Sequence, residues 1–292
     1  MRRFGGTEVA ARRPGAAGTG NGVTQEVLAR QRQAYILDRI REDGAVKVAD
    51  LVRELNVSDM TIRRDLDALD SLGLLEKVHG GATTSADGPL FEPGFAVKST
   101  LQQMEKNAIA AAAARLVEPG SAIALSAGTT TYALARRLAE VPGLTVVTNS
   151  VPVSDVMVRT GRPDQTVILT GGVRTPSDAL VGPFAVAAIR TIHLDLIFMW
   201  VHGMDARTGF TTPNILEAET DRALVEAGRR LVVLADHTKW GVIGISSFAR
   251  LDQADMLITD SGIAPEPRAE LAASVRDVVV VDATGTPVEE PL

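Results

Sequence analysis

Seven short apolar runs constrain this chain more than any other feature. They are "AIALS" (Ala122–Ser126), "LTVVTN" (Leu144–Asn149), "QTVILTGG" (Gln165–Gly172), "LIFMWV" (Leu196–Val201), "RLVVLAD" (Arg230–Asp236), "DMLITD" (Asp255–Asp260) and "VVVVDAT" (Val278–Thr284). Most are β-branched and apolar at consecutive positions, so both faces of each strand expect cover. That is how strands of a parallel sheet read. Amphipathic helices fit between most of them, for example Thr130–Glu140 and Asn214–Arg229, and another runs from about Gln102 to Val117 before the breaker pair Pro119-Gly120. Strand–helix alternation predicts a doubly wound, mostly parallel α/β domain. No internal repeat stands out.

A helical pattern of a different kind fills Val23–Ala82. A first helix spans about Gln31–Asp43, with Ile36, Leu37 and Ile40 inward and Gly44 as its stop. "VADLVREL" (Val48–Leu55) is the second. "NVS" makes a short turn, and a third helix opens at Ser58, whose hydroxyl can cap a backbone N–H. Ile62, Leu66, Leu69 and Leu72 form one buried stripe in it, leaving Asp59, Thr61, Arg63, Arg64 and Asp65 on the other faces. Helix, tight turn and capped helix make a helix-turn-helix, whose second helix enters the DNA major groove. Arginine can grip guanine O6 and N7 bidentately or a phosphate as a fork. An isolated "RRD" is usually a solvated helix face with i, i+4 pairing; the spacing, cap and turn together favour the DNA reading. Asp65 and Asp67 are placed to orient the arginines or repel wrong registers. "LLEKVHGGA" (Leu74–Ala82) reads as a two-stranded wing with Lys77 and His79 at the DNA backbone.

The domain boundaries follow. Residues 1–22 are a Gly-, Ala- and Arg-rich disordered leader, 23–84 the winged helix-turn-helix, 85–100 a linker and 101–292 the α/β domain. The first 90 residues hold 13 basic and 13 acidic side chains, so the acidic excess behind the net charge of −6 lies entirely in the C-terminal part. DNA contact must then come from local placement of charge. The chain has no cysteine, which excludes disulfides, thiolate metal sites and a cysteine nucleophile and fits a reducing cytoplasm. Four histidines out of ligand spacing suggest no metal. No apolar run reaches the ~18 residues of a membrane span, and a low aromatic content argues against base-stacking platforms. No cofactor is expected, because no G-x-G-x-x-G follows the first strand of the α/β domain.

That strand runs instead into "AGTTTYALARRL". A Gly-Thr-Thr-Thr run at a helix N-terminus offers N–H groups, hydroxyls and a positive dipole end, which suits a phosphate, although such loops also serve as ordinary caps. Other strand ends add Thr148, Asn149, Ser150 and Gly171-Gly172, then His202, Asp205, Thr211, Thr212 and Glu217, then Asp236 and Lys239. Ligands of open α/β sheets bind at these carboxyl ends, and this set suits a small phosphorylated polyol. His193 reads as a surface histidine and Asp195 as a cap on its strand.

"VSDMTIRRDLDALDSLGLLEKVHGGA" (Val57–Ala82) closely resembles the winged helix-turn-helix of DeoR-type bacterial transcription regulators. The order G-T-T-T, T-N-S, G-G, H-G-M-D, G-F-T-T-P, E-A-E and A-D-H-T-K-W-G over roughly Gln102–Thr284 resembles the DeoR-type sensor domain, related in fold to sugar-phosphate isomerases. The resemblance implies a sequence-specific regulator, usually a repressor, that binds double-stranded operator DNA as a homodimer or larger homo-oligomer and responds to a phosphorylated sugar or related metabolite. It implies DNA contact by Ser58, Asp59, Thr61, Arg63, Arg64, Lys77 and His79. It puts the phosphate on Gly128, Thr129, Thr130 and Thr131, with Ser126, Asn149 and Gly172 lining the pocket and Asp205, Glu217 and Lys239 reaching sugar hydroxyls or carbonyl. The chain departs from the family pattern at Ser126, where an acidic residue is common, and at Trp200, where glycine is common. The competing reading is a sugar-phosphate isomerase with a DNA-binding appendage, Glu217 as base and Asp205 or Lys239 as polariser.

Overall fold

The computed structural model describes residues 29, 31–37, 39–40, 45–71, 74–78, 80–83, 95–99 and 101–288. The leader, Gly44, Leu72 and His79 lie outside them. The N-terminal part begins with α1, helical at residues 31–37 and 39–40, and continues through β1 (Ala45–Lys47), α2 (Val48–Leu55) and α3 (Asp59–Ser71). The wing follows as β2 (Glu76–Val78) and β3 (Gly81–Thr83). Asn56 ends α2 in the left-handed region with φ 51°, a conformation that asparagine tolerates better than most residues. Ser58 starts α3, its Oγ accepting the Thr61 N–H at 3.2 Å. Ile36, Leu37, Ile40, Val48, Leu51, Ile62, Leu66 and Leu69 close one apolar core beneath these helices.

The wing turns at Gly80, whose φ of +80° favours glycine. It is three-stranded, in the order β1-β3-β2. β1 was not expected. Its three residues are too short to show a period, and only pairing with β3 makes them a strand.

A short helix α4 (Phe95–Lys98) falls within the expected linker and leads to α5 (Gln103–Ala114). The seven apolar runs then become β4 (Ala122–Leu125), β5 (Thr145–Thr148), β6 (Thr166–Leu169), β9 (Leu196–Trp200), β12 (Leu231–Leu234), β14 (Met256–Asp260) and β15 (Val278–Val281). They form one parallel sheet in the order β15-β14-β12-β9-β4-β5-β6. Alternate residues face opposite layers, as the strand period requires. Ile123, Phe198, Val232 and Ile258 pack with α5, α6 (Thr129–Leu138) and α7 (Val151–Thr160). Ala124, Ile197, Met199, Val233 and Leu257 pack with α8 (Pro183–Ile189), α9 (Ile215–Ala227) and α10 (Pro265–Ser274). The sheet is therefore doubly wound.

β6 departs from expectation. It lies at the sheet edge, and Thr166, Ile168 and Leu169 are exposed while Val167 packs against the core, so its apolar run is covered on one face only. Two small antiparallel sheets also escaped the sequence reading: the hairpin β7 (Val173–Arg174) with β8 (Leu180–Val181), and β10 (Gly203–Asp205) with β11 (Gly209–Thr212) and β13 (Ser246–Ala249). Their short glycine-bearing segments carry no clear alternation.

Candidate functional site

Two separate places carry chemistry. The first is the outward face of α3. Ile62, Leu66 and Leu69 anchor the helix, and Arg63 and Arg64 stand exposed on the other side. Arg63 donates through Nε to Asp59 Oδ1 at 2.5 Å, an exposed i, i+4 pair. Exposed pairs of this kind are weak, so the guanidinium can leave Asp59 for another anion at little cost. Among the described residues no ion-pair partner is recorded for Arg64. Ser58 and Thr61 share a hydroxyl–hydroxyl contact of 2.8 Å at the helix start. Lys77 of the wing pairs with Asp67.

Asp65 is a correction. It does not stand on the solvent face or steer the arginines beside it. It is 4% exposed and accepts from Arg32 Nε at 2.6 Å, Arg32 Nη2 at 3.1 Å and Gln33 Nε2 at 3.2 Å. The buried carboxylate ties α3 to α1. Asp67 serves the wing through Lys77, and its charge still acts on Arg63.

The second place is the carboxyl end of the parallel sheet. β4 delivers Ser126, and Gly128 opens α6 so that Thr129, Thr130 and Thr131 form its first turn. Thr131 Oγ1 donates to Ser126 O at 2.6 Å, tightening the loop. Thr130 Oγ1 is buried with no partner among the described residues. Asn149, after β5, accepts the Ala127 N–H at 2.9 Å and so fixes the same loop. Trp200, at the end of β9, lies directly against Gly128: a Cβ there would sit 2.5 Å from the Trp200 Cβ. Ser126 Oγ accepts the Trp200 N–H at 2.9 Å. The two positions where the chain departs from the family pattern are thus in contact with each other.

Cations gather around the indole. Lys239 Nζ lies 5.7 Å and Lys98 Nζ 4.4 Å from the ring centroid, within cation–π range. Lys106, on α5, is buried and donates to the carbonyls of Lys98 and Leu101, each at 2.7 Å. Burial pushes its pKa down to about 7, with Lys239 and Lys98 acting the same way against Asp236 and Glu105. Burial alone would raise the Asp236 carboxyl, but Lys239, Lys106, the Thr238 hydrogen bond and His237 hold it below its usual value. Its Oδ1 accepts the Thr238 N–H, and its Oδ2 is buried with no partner among the described residues. His237 Nδ1 sits 2.7 Å from Asp260 Oδ2, a contact that raises the imidazole pKa against the effect of burial.

Three expected pocket residues have other duties. Asp205 Oδ1 accepts the backbone N–H groups of Arg207 and Thr208 at 3.0 and 3.1 Å, closing its own turn. Burial favours its neutral form, and those bonds outweigh it, leaving the pKa below the usual value. Glu217 accepts from Ser177 Oγ at 2.8 Å and Thr212 Oγ1 at 3.0 Å, which occupies both oxygens. Gly172, at φ 123°, packs against the backbone of Val181. The same loops join α9 to the β7–β8 hairpin. Lys98, Lys106 and the His237–Asp260 pair were missed. His193 is exposed, and Asp195 Oδ2 accepts the Ala122 N–H at 3.0 Å, as expected of a strand cap.

The described residues hold no cluster of three or more His, Cys, Asp or Glu able to bind a metal ion, and no helix among them is long and apolar enough to cross a membrane. A shallow cleft of about 560 Å³, lined by Arg229, Arg230, Asp255, Met256, Arg276 and Asp277, opens at the amino ends of β12, β14 and β15. That is the opposite end of the sheet from the groups above.

Comparison with known proteins covers most of the chain. Residues 32–87 match the DeoR-like helix-turn-helix domain and residues 101–261 the DeoR C-terminal sensor domain. The HTH-type transcriptional regulator GolR of Listeria innocua is 39% identical over 234 residues, spanning 80% of this chain and 91% of that one. An uncharacterized HTH-type transcriptional regulator of Escherichia coli, YgbI, is 37% identical over 234 residues, 80% of this chain and 90% of that one. Among solved structures, ribose 5-phosphate isomerase A from Methanocaldococcus jannaschii aligns with a TM-score of 0.35 at 15% identity, covering 48% of this chain and 54% of that one.

Proposed function

Because the chain belongs to the DeoR family of helix-turn-helix transcriptional regulators, not to an enzyme family, we propose that it is a repressor whose hold on operator DNA is set by a phosphorylated sugar or a related metabolite. α3 reads the major groove. Arg64 and Arg63 meet base edges or phosphates, Ser58, Asp59 and Thr61 line the start of the helix, and Lys77 with His79 brings the wing to the backbone. The observation that carries this half is two guanidinium groups exposed on a helix whose other side is anchored by Ile62, Leu66 and Leu69.

The effector's phosphate sits on the first turn of α6, among Gly128, Thr129, Thr130 and Thr131, where the helix N-terminus presents N–H groups and the Thr130 hydroxyl has no partner among the described residues. Lys239 supplies the counter-charge. Ser126 and Asn149 set the loop, and Trp200 gives the sugar an apolar face. Asp205, Glu217 and Gly172 act by shaping loops, since their polar groups or backbone are already engaged within the protein. The protein works as a homodimer or larger homo-oligomer in the cytoplasm, so a ligand that favours one arrangement of paired heads changes how they fit two half-sites. A coupling of ~1–3 kcal/mol suffices.

A thermal-shift screen of pentose and hexose phosphates tests the effector half. A ligand at 100 times its Kd stabilises by ~2.7 kcal/mol. Stabilisation by a phosphorylated sugar, and none by the same sugar without phosphate, is the expected result. Equal effects of both would remove the phosphate site.

A further inference from the structure

Five large apolar side chains, each between 38 and 79% exposed, stand on three segments that touch one another. Ile215 and Leu216 open α9, and Ile243 and Ile245 flank Gly244 in the loop before β13. Gly244 lies so close to the backbone of Thr212 and Pro213 that a Cβ would come 2.5 Å from the Thr212 carbonyl carbon. Its N–H donates to Thr211 Oγ1 at 2.8 Å, and Ser246 pairs with Thr212 in the β11–β13 ladder. The loop is thus pinned just before α9 begins. On the helix, Thr220 Oγ1 accepts the Gly182 N–H at 3.3 Å and donates to Leu216 O at 2.9 Å. That brings the start of α8, with Phe184, alongside the first turns of α9.

The sequence places no charge inside this surface: "PNIL" (Pro213–Leu216) and "GVIGIS" (Gly241–Ser246) are both uncharged. Charge begins at the rim, where α9 exposes Glu219 and Arg222. Arg222 is anchored there, donating to Ser246 Oγ at 3.0 Å and Ser247 O at 2.6 Å. The five side chains together expose roughly 500 Å² of apolar surface, at the upper end of what one patch on a monomer shows. A standard interface buries ~800 Å² on each partner, and about 65% of a homodimer interface is apolar, so the patch matches the apolar share such a dimer needs. A two-fold contact uses the same surface on both copies and must therefore suit itself. An uncharged centre with one acid and one base on its rim does so. The edge strand β6 also exposes apolar side chains, but Arg159, Arg162, Asp164 and Arg174 crowd that run of chain, and interface cores are depleted of charge.

We propose that Phe184, Ile215, Leu216, Ile243 and Ile245 form a two-fold interface with a second copy of this chain, the α9 helices running antiparallel so that Glu219 of one protomer meets Arg222 of its partner. The inference rests on the reading of the protein as a homo-oligomer and adds the surface that makes it one. The backbone beneath the patch is already held, so association orders little additional chain. α9 also carries Glu217, whose oxygens hold Ser177 and Thr212, so the interface is built on the loops at the carboxyl end of the sheet.

The chain has no cysteine, so single-cysteine variants of the full-length protein report proximity between copies. Ile215→Cys, Ile243→Cys and Ile245→Cys are each treated with a short bis-maleimide. At least one should give a cross-linked dimer, whereas Val158→Cys, also exposed but on α7, should give none. In sedimentation equilibrium, Ile215→Asp/Ile245→Asp should raise the dimer dissociation constant at least tenfold and Val158→Asp less than twofold. The cross-linking decides the matter even if the double variant fails to fold. A dimer that none of the three positions cross-links, or that a folded Ile215→Asp/Ile245→Asp protein keeps at full strength, overturns this interface and leaves the homo-oligomer reading standing. An unsubstituted chain that sediments as a monomer throughout the micromolar range overturns both.

Discussion

Replacing Asp65 by alanine separates a structural carboxylate from a DNA-facing one. Asp65 is buried and takes three hydrogen bonds from Arg32 and Gln33. Removing one partner of a buried ion pair costs ~3–5 kcal/mol, because the other charge loses its counter-charge there. The Arg32 side chain keeps 16% exposure, so water recovers part of that, and ~2–4 kcal/mol is the working figure. Among the described residues the head has a core of eleven buried apolar side chains. At ~0.05–0.15 kcal/mol per residue, a head of about 60 residues has ~3–9 kcal/mol in total. Asp65→Ala thus removes roughly a quarter of the head's stability or more, a fall of ~10–20 °C in its midpoint. Scanning calorimetry of the full chain should show the head transition dropping while the α/β transition stays. DNA binding should weaken only as far as the head is unfolded, and cooling should restore it. Were Asp65 on the solvent face, the same change would stay within ~0.5 kcal/mol. An unmoved head transition would therefore refute the assignment.

Four further outcomes follow from the geometry. Arg64→Ala should weaken operator binding by ~1–3 kcal/mol if it reads a base, or lower the salt slope by about 1 if it grips a phosphate; a titration of binding against salt distinguishes the two, and no change in either removes Arg64 from the interface. Gly128→Ala places a methyl 2.5 Å from the Trp200 Cβ, so it should destabilise the α/β domain by ~1–3 kcal/mol and abolish effector-induced thermal shifts. Trp200→Ala added to Gly128→Ala should recover part of the lost stability, which a double-mutant cycle measures as coupling between the two sites. The His237 pKa is raised by its contact with Asp260, so that pair stabilises fully below the unfolded histidine value of about 6.5 and the gain is lost as pH rises through the higher folded value; His237→Asn should therefore narrow its stability gap from the unsubstituted protein between pH 6 and pH 9.

Much of this fold is legible because buried parallel strands have few alternatives in sequence. Runs such as "LVVL" and "VVVV" are β-branched and too short for helices, and all seven became strands of one sheet. Strand order is set by tertiary packing, so nothing local marks "TVIL" as the edge. Asp65 was misread because its chemistry, not its position, was used. At about 100° per residue it lies some 60° from Ile62, inside the span of a buried stripe. Lys106 was legible on the same ground: Ile109, Ala110 and Ala113 follow it at helical spacing, and all are buried. The Lys98–Trp200 and His237–Asp260 contacts join distant segments, and no local pattern reports them. The strand-to-helix loop at Gly128–Thr131 was legible as a Gly-Thr-Thr-Thr run after a strand, whereas the engagement of Asp205 and Glu217 depends on side-chain partners that spacing does not reveal.

The most direct test is fluorescence anisotropy of a duplex selected by the protein from a random library, titrated with and without each phosphorylated sugar that stabilises the α/β domain. The account predicts that such a ligand changes duplex affinity at least fivefold, that its unphosphorylated counterpart does not, and that Arg63→Ala/Arg64→Ala protein still binds the ligand while losing the duplex. A ligand that saturates the protein and leaves duplex affinity unchanged would contradict it.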